Sequence, residues 1–293
     1  MLEISEISCS LTEGASERGC IAACTRETTR LLGCRRQDLS RVELHRKSID
    51  ARKKSNVHVT LSARIDVVPG IDELRLLEHV PPRDARRVRA VDGAEPSFER
   101  PRNAAIAPDA DERPIVVGAG CAGLFAALTL AEAGLAPLLI EQGDDATRRT
   151  SAVRHFNATG ELDPASNIQF GLGGAGTFSD GKLNTGTKNP LHRLVLRTLV
   201  EAGSPRDILW DAKPHIGSDV LPEVVTNIVA RIRSCGGEVR FRTQVTDIEL
   251  DARGAVHGVT VTHEGRAVHI PARAVILACG HSARDVFALL KHR

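Results

Sequence analysis

The sequence contains no tyrosine and one tryptophan, and aromatic residues make up only 3% of it. Single-stranded nucleic acid is held largely on stacked aromatic side chains, so a chain this poor in rings lacks the platforms, and no nucleic-acid partner is expected. An excess of either charge is missing too. The 39 Lys and Arg against 37 Asp and Glu leave a formal charge of +2, too small a field to favour polyanions or anionic membrane. No apolar run reaches the roughly 20 residues of a membrane span. The opening, Met1 to Ser8, alternates acidic and apolar residues where a signal peptide would be basic and then apolar. No membrane partner and a cytoplasmic location are therefore expected. Closely paired cysteines are scarce as well. The seven lie at 9, 20, 24, 34, 121, 235 and 279, an odd number in a chain long enough not to need disulfide staples, which suits reduced thiols. Cys20, Cys24 and Cys34 have neither a second close pair nor a neighbouring His, so buried thiols and no metal are expected there.

What is present divides the chain into three parts. Residues 1–80 predict a small α+β accessory domain, with a strand over Leu2 to Ile7, a helix over Glu17 to Leu32, strands over Leu39 to Ile49 and Val57 to Val67, and a short helix over Ile71 to His79. Its Arg35, Arg36, Arg46, Lys47, Arg52, Lys53 and Lys54 form a basic side, read as a solvated or docking face. From 81 to 112 the periodicity stops and Pro, Arg, Ala and Asp dominate, which predicts a linker without regular elements and a separable first module. Residues 113–293 carry alternating strands and helices, the pattern of an α/β Rossmann-type domain. Between 143 and 220 the sequence is glycine-rich and predicts mostly irregular chain apart from a helix near Pro190 to Ala202. The nucleotide fold is thus expected to be split by an insertion and then to resume with a helix at Leu221 to Cys235, a strand at Glu238, a β-meander and a strand at Ala274 to Ala278.

The strand Ile115-Val116-Val117 runs into Gly118-Ala119-Gly120-Cys121-Ala122-Gly123 and a helix with Leu124, Ala127 and Leu128 on its apolar side. This is G-x-G-x-x-G in the strand, turn, helix setting that gives it meaning. Gly118 allows the tight turn, Gly120 lets the backbone approach a pyrophosphate, and Gly123 lets the helix pack against the strand; the helix amino terminus receives the phosphate charge. Glu141 closes the second strand where an acid accepts from a ribose 2′-hydroxyl. A second literal match, Gly171 to Gly176, is followed by a polar loop and not by a helix. It reads as a cofactor or substrate loop, in which Gly174 and its neighbours offer backbone N–H groups as an anion nest and Lys182 adds a point charge.

The fingerprint reads only the ADP half shared by FAD and NAD. The segment Glu238 to Val245, the meander broken at Arg253-Gly254 and the closing Ala274 to Gly280 resemble the corresponding stretch of two-dinucleotide-binding flavoproteins. The strings Ser166 to Thr185, Asp211 to Gly217, Gly280 to Asp285 and Lys47 to Lys54 are similar to the bacterial FAD-dependent (NAD/FAD-utilising) dehydrogenase family, over nearly the whole chain. The resemblance implies FAD as cofactor, NAD(P)H as an electron donor, and flavin-mediated hydride transfer on a small-molecule substrate that it does not name. It also implies that Val245 meets adenine through its backbone and that Gly280 lets the chain pass close to the cofactor. Members carry a later strand and turn that hold the ribitol and ring, so the flavin domain is expected to be incomplete at its carboxy terminus. The alternative is a flavin- or nucleotide-binding protein without turnover. His215 and His281, beside Lys213 and Arg284, are the acid-base candidates. Cys121 and Cys279 do not form the close redox pair that flavin disulfide reduction needs.

Overall fold

The computed structural model describes residues 1–93, 113–179, 181–183 and 189–292. They fall into two units. The first comprises residues 1–93 with 189–193 and 206–214; the second comprises the remaining described residues from 113 onward.

In the first unit β1 (Leu2–Cys9), α1 (Glu17–Leu32), β2 (Leu39–Asp50), β3 (His58–Val67), α2 (Glu73–Glu78) and β4 (Val88–Ala90) follow one another. The strands form an antiparallel sheet in the order β2-β3-β1-β4. Strand β1 buries Leu2 and Ile4, then shifts register at Glu6, whose φ is 55°, so that Ile7 and Cys9 return to the core. Helix α1 starts where the Ser16 hydroxyl accepts from the Gly19 N–H at 3.1 Å and stops at Gly33, φ 61°. Cys20, Ala23, Cys24 and Leu31 line its buried face. Burial pushes the Cys24 thiol up to about 12, far from the thiolate range, in keeping with the buried thiols expected from sequence.

Two expectations about this unit need correction. Part of the supposed linker is structured: Pro82–Arg87 is a 3-10 turn and β4 pairs Val88 with Ile4 and Ala90 with Leu2. Proline in the first turn loses nothing by lacking an N–H, and an Asp84–Arg87 ion pair at 2.8 Å ties the turn together. The rest of the linker, 94–112, lies outside the described residues. The unit also does not end with its early segment. Trp210 sits in its apolar core, the Lys47 N–H donates to the Trp210 carbonyl at 2.7 Å, and the Ala212 N–H donates to the Lys47 carbonyl at 2.9 Å. Arg193 pairs with Glu43 at 2.9 Å. The first unit is therefore assembled from distant pieces of chain and is not a detachable module. Cleavage within 94–112 should leave two fragments that co-elute under native conditions, because residues 206–214 belong to the first unit; separation on native gel filtration would contradict this.

The second unit contains β5 (Ile115–Val117), α3 (Cys121–Glu132), β6 (Leu138–Ile140), α4 (Ala146–Thr159), α5 (Leu191–Glu201), at which the chain passes from one unit to the other, and α6 (Leu221–Ser234). Then follow β7 (Glu238–Arg240), β8 (Thr243–Leu250), β9 (Val256–His263), β10 (Arg266–Pro271), β11 (Val275–Leu277) and α7 (Arg284–His292). Strands β7-β6-β5-β11 form a parallel sheet, the 3-2-1-4 order of a Rossmann fold. Every residue of β5 and β6 is buried, as parallel strands covered on both faces require. Ile115, Val117, Leu138 and Ile140 pack on Val245, Ile248, Val259, Val261 and Ile270 of the antiparallel meander β8-β9-β10. Helices α3 and α6 pack on each other. Among the described residues no helix is long and apolar enough to cross a membrane.

Helix α4 corrects the reading of 143–220 as irregular before Pro190. Its caps are visible in retrospect: the Asp145 carboxylate accepts from the Thr147 and Arg148 N–H groups, and Gly160 ends it at φ 78°. It shows no apolar stripe because its buried positions are Ala146, Arg149 and Val153.

Candidate functional site

The three fingerprint glycines have different physical reasons. At Gly118, φ is 97°, and a Cβ would stand 2.7 Å from the Ala278 carbonyl oxygen at the end of β11. At Gly123 a Cβ would lie 1.8 Å from the Gly118 carbonyl oxygen. Both positions are glycine because the protein's own backbone fills the space. Gly120 differs. Its φ of -72° suits any residue, and a Cβ there would meet only the Gly174 Cα, at 4.0 Å. It faces a cavity of about 370 Å³ that it lines with Cys121, Ala122 and Gly174. The amino terminus of α3, which has no side-chain cap, thus turns its first N–H groups and partial positive charge toward a space that Gly120 and Gly174 border with backbone alone.

Glu141, at the end of β6, is buried in the wall of the same cavity. Its carboxylate accepts from Ala119 at 2.7 Å, Gly143 at 2.9 Å and Gly171 at 3.1 Å, all backbone N–H groups. A carboxylate has about four acceptor positions, so one remains for a ligand hydroxyl. Glu141 therefore gathers the fingerprint turn, the chain after β6 and the second glycine segment before it meets any ligand.

In that second segment the N–H groups of residues 171–174 are engaged within the protein, so they do not serve as an anion nest. The Leu172 N–H donates to the Asp144 carbonyl at 3.0 Å, Gly173 to the Ala119 carbonyl at 2.8 Å, and Gly174 to the Gly171 carbonyl at 3.0 Å. With Gly171 engaged by Glu141, these donors are already taken. The glycines serve close packing instead: a Cβ on Gly143 would stand 2.6 Å from the Gly171 Cα, and one on Gly174 3.2 Å from the Gly120 Cα. The loop is a second backbone wall across from the fingerprint, and Gly174, Ala175 and Gly176 line the cavity.

Val245, Gly280 and His281 also line it, Val245 from β8 and the other two from the turn between β11 and α7. Gly280 has φ 76° and open space around it, so its conformation is what calls for glycine. The backbones of Lys182 and His215 form an isolated antiparallel β-bridge, and neither residue lines the cavity that His281 borders. Residues missed by sequence reasoning close the walls. The Gln244 side-chain amide of β8 donates to Asp285 of α7 at 2.8 Å, and both line the cavity. Asp144 and Asp163 share Arg242, which reaches Asp163 at 2.7 Å and anchors the base of the second loop. Arg149, fully buried, holds that loop from behind. The only sequence signal for it was the Asp145 and Gly160 bracket of α4.

Residues 112–291 match the family described as pyridine nucleotide-disulphide oxidoreductase, and residues 1–66 match "Domain of unknown function (DUF8436)". A Clostridium beijerinckii protein named "Uncharacterized protein" is 37% identical over 261 residues, 88% of this chain. The chain spans about half the length of that curated relative, 46%. Among solved structures, Thermovibrio ammonificans THI4 is similar at 18% identity and TM-score 0.41, covering 62% of each chain. The flavin-dependent monooxygenase PieE in complex with FAD and substrate is similar at 21% identity and TM-score 0.38, covering 63% of this chain and 33% of that one.

Proposed function

We propose, for a chain that belongs to the pyridine nucleotide-disulphide oxidoreductase family, that the second unit binds FAD and serves an oxidoreductase acting on a small-molecule substrate with NAD(P)H as electron donor. The carrying observation is Gly120: nothing in the protein requires glycine there, and the space beside it opens between two backbone walls at the amino terminus of α3. A pyrophosphate fits that space and that partial charge. Glu141 offers its remaining acceptor position to the ribose, and Val245 borders the adenine end. When bound, FAD supplies the hydride-transfer chemistry.

The chain's own residues bind and orient. The glycine walls exclude side chains from the pyrophosphate, and His281 is the histidine among the cavity's lining residues, able to hold or move a proton there. His215 lies outside that lining and drops to second rank. Cys121 and Cys279 stand in the wall on separate elements, and a disulphide substrate is not part of the reading. A cytoplasmic setting without nucleic-acid or membrane partners completes it.

Purified chain should take up FAD, and in a protein of the relative's full length that contains these residues the flavin absorbance should bleach anaerobically on adding NADH or NADPH. Flavin uptake without bleaching by either would favour a binding protein without turnover over the proposed enzyme.

A further inference from the structure

Among the described residues Arg149 is the largest fully buried side chain, with no solvent exposure. Its guanidinium donates to four backbone carbonyls of one loop: Asn167 at 2.9 Å, Ile168 at 2.9 Å, Gly171 at 3.2 Å and Leu172 at 2.6 Å. Its carbon lies 4.8 Å from the centre of the Phe178 ring. A Cβ on Gly171 would stand 2.5 Å from the Arg149 Cδ, so the loop lies directly on the side chain. Burial pushes its pKa down to about 10, against the opposing pull of Glu141, which leaves it charged at neutral pH.

A buried charge satisfied only by carbonyls is a costly way to hold a loop. The loop it holds is the one that stands across the cavity from the fingerprint. Its near side donates from Gly173 to the Ala119 carbonyl and brings Gly174 against Gly120; its far side rests on Arg149. Glu141 binds the same loop by the Gly171 N–H. Gly171 is thus clamped by a buried anion at its N–H and a buried cation at its carbonyl. The width of the cavity beside Gly120 depends on that clamp.

We propose that Arg149 is a positioning residue that sets the pyrophosphate end of the dinucleotide cavity through the 167–172 loop, without touching the ligand. The inference rests on the reading of the cavity as an FAD site. Lysine keeps the charge, but its ammonium has three donors around one centre and cannot reach four carbonyls spread over a planar fork. R149K should therefore raise the Kd for FAD roughly ten- to hundredfold at unchanged stoichiometry. The loss should be equal for ADP, since the loop faces the part both ligands share. Hydrogen exchange should speed up at amides 171–174, with β5, β6 and α3 unchanged.

R149K binding both ligands as tightly as wild type would overturn the proposal. So would failure of R149K to fold, or faster exchange throughout the second unit, because either result makes Arg149 a general structural residue. If wild type binds neither FAD nor ADP, the FAD reading fails; the exchange experiment, which needs no ligand, then still decides whether Arg149 holds the loop.

Discussion

Gly120→Val is expected to reduce FAD binding by at least about a hundredfold, roughly 2.7 kcal/mol, while the protein remains folded. The backbone at this position is ordinary, with φ -72°, and the nearest atom to an added Cβ is 4.0 Å away. A branched side chain there extends into the space between Gly120 and Gly174, where the pyrophosphate is placed. Its thermal midpoint should stay within about 2 °C of wild type, since restricting the unfolded chain even stabilises slightly. Gly123→Val provides the contrast. Its Cβ would stand 1.8 Å from the Gly118 carbonyl oxygen, so overpacking should destabilise the second unit by roughly 3 kcal/mol or more. Both variants lose flavin, but only one loses its fold. Circular dichroism melts beside flavin titrations separate them; if Gly120→Val binds FAD normally, the pyrophosphate does not lie beside α3.

Trp210→Ala should produce the largest stability loss, about 3–5 kcal/mol, confined to the first unit. The indole is buried in a core formed with Leu2, Ile4, Leu31, Leu61 and Ile65, although it comes from residues 206–214, the last of that unit's three pieces of chain. Small units hold about 5–15 kcal/mol in total, so the variant removes a large share. In wild type the single tryptophan reports unfolding of the first unit by fluorescence; in the variant, far-UV circular dichroism in urea follows it. A midpoint unchanged by the substitution would show that the segment merely lies on the surface.

How much of this could be read from residues alone depends on where the information resides. Local signals sufficed for α1, whose Ser16 cap and Gly33 stop bracket a periodic face, and for the β5, α3, β6 series, where period and fingerprint agree. They failed where burial is polar or contact is remote. Helix α4 buries Arg149 in place of an apolar residue, so periodicity was silent. Strand β4 is three residues long and gains its partners from β1, more than 80 positions earlier in the chain. Trp210 joins a core whose other buried members all lie in the first 90 residues. Composition makes the second glycine segment a nest throughout, whereas the N–H groups of Gly171, Leu172 and Gly173 are taken by Glu141, Asp144 and Ala119, partners that only the fold brings near. Glu141 itself was located correctly at the end of β6, but its three internal hydrogen bonds are set by loops that only the fold brings together.

The most direct test of the account is the identity of the dinucleotide that the cavity takes. Calorimetric titration of the purified chain with FAD, ADP and NAD, preceded by extraction of whatever ligand accompanies it from cells, measures this. FAD is expected in the extract, with one site for FAD and competition by ADP at that site. Extraction of NAD alone, with no binding of FAD to the emptied protein, would contradict it.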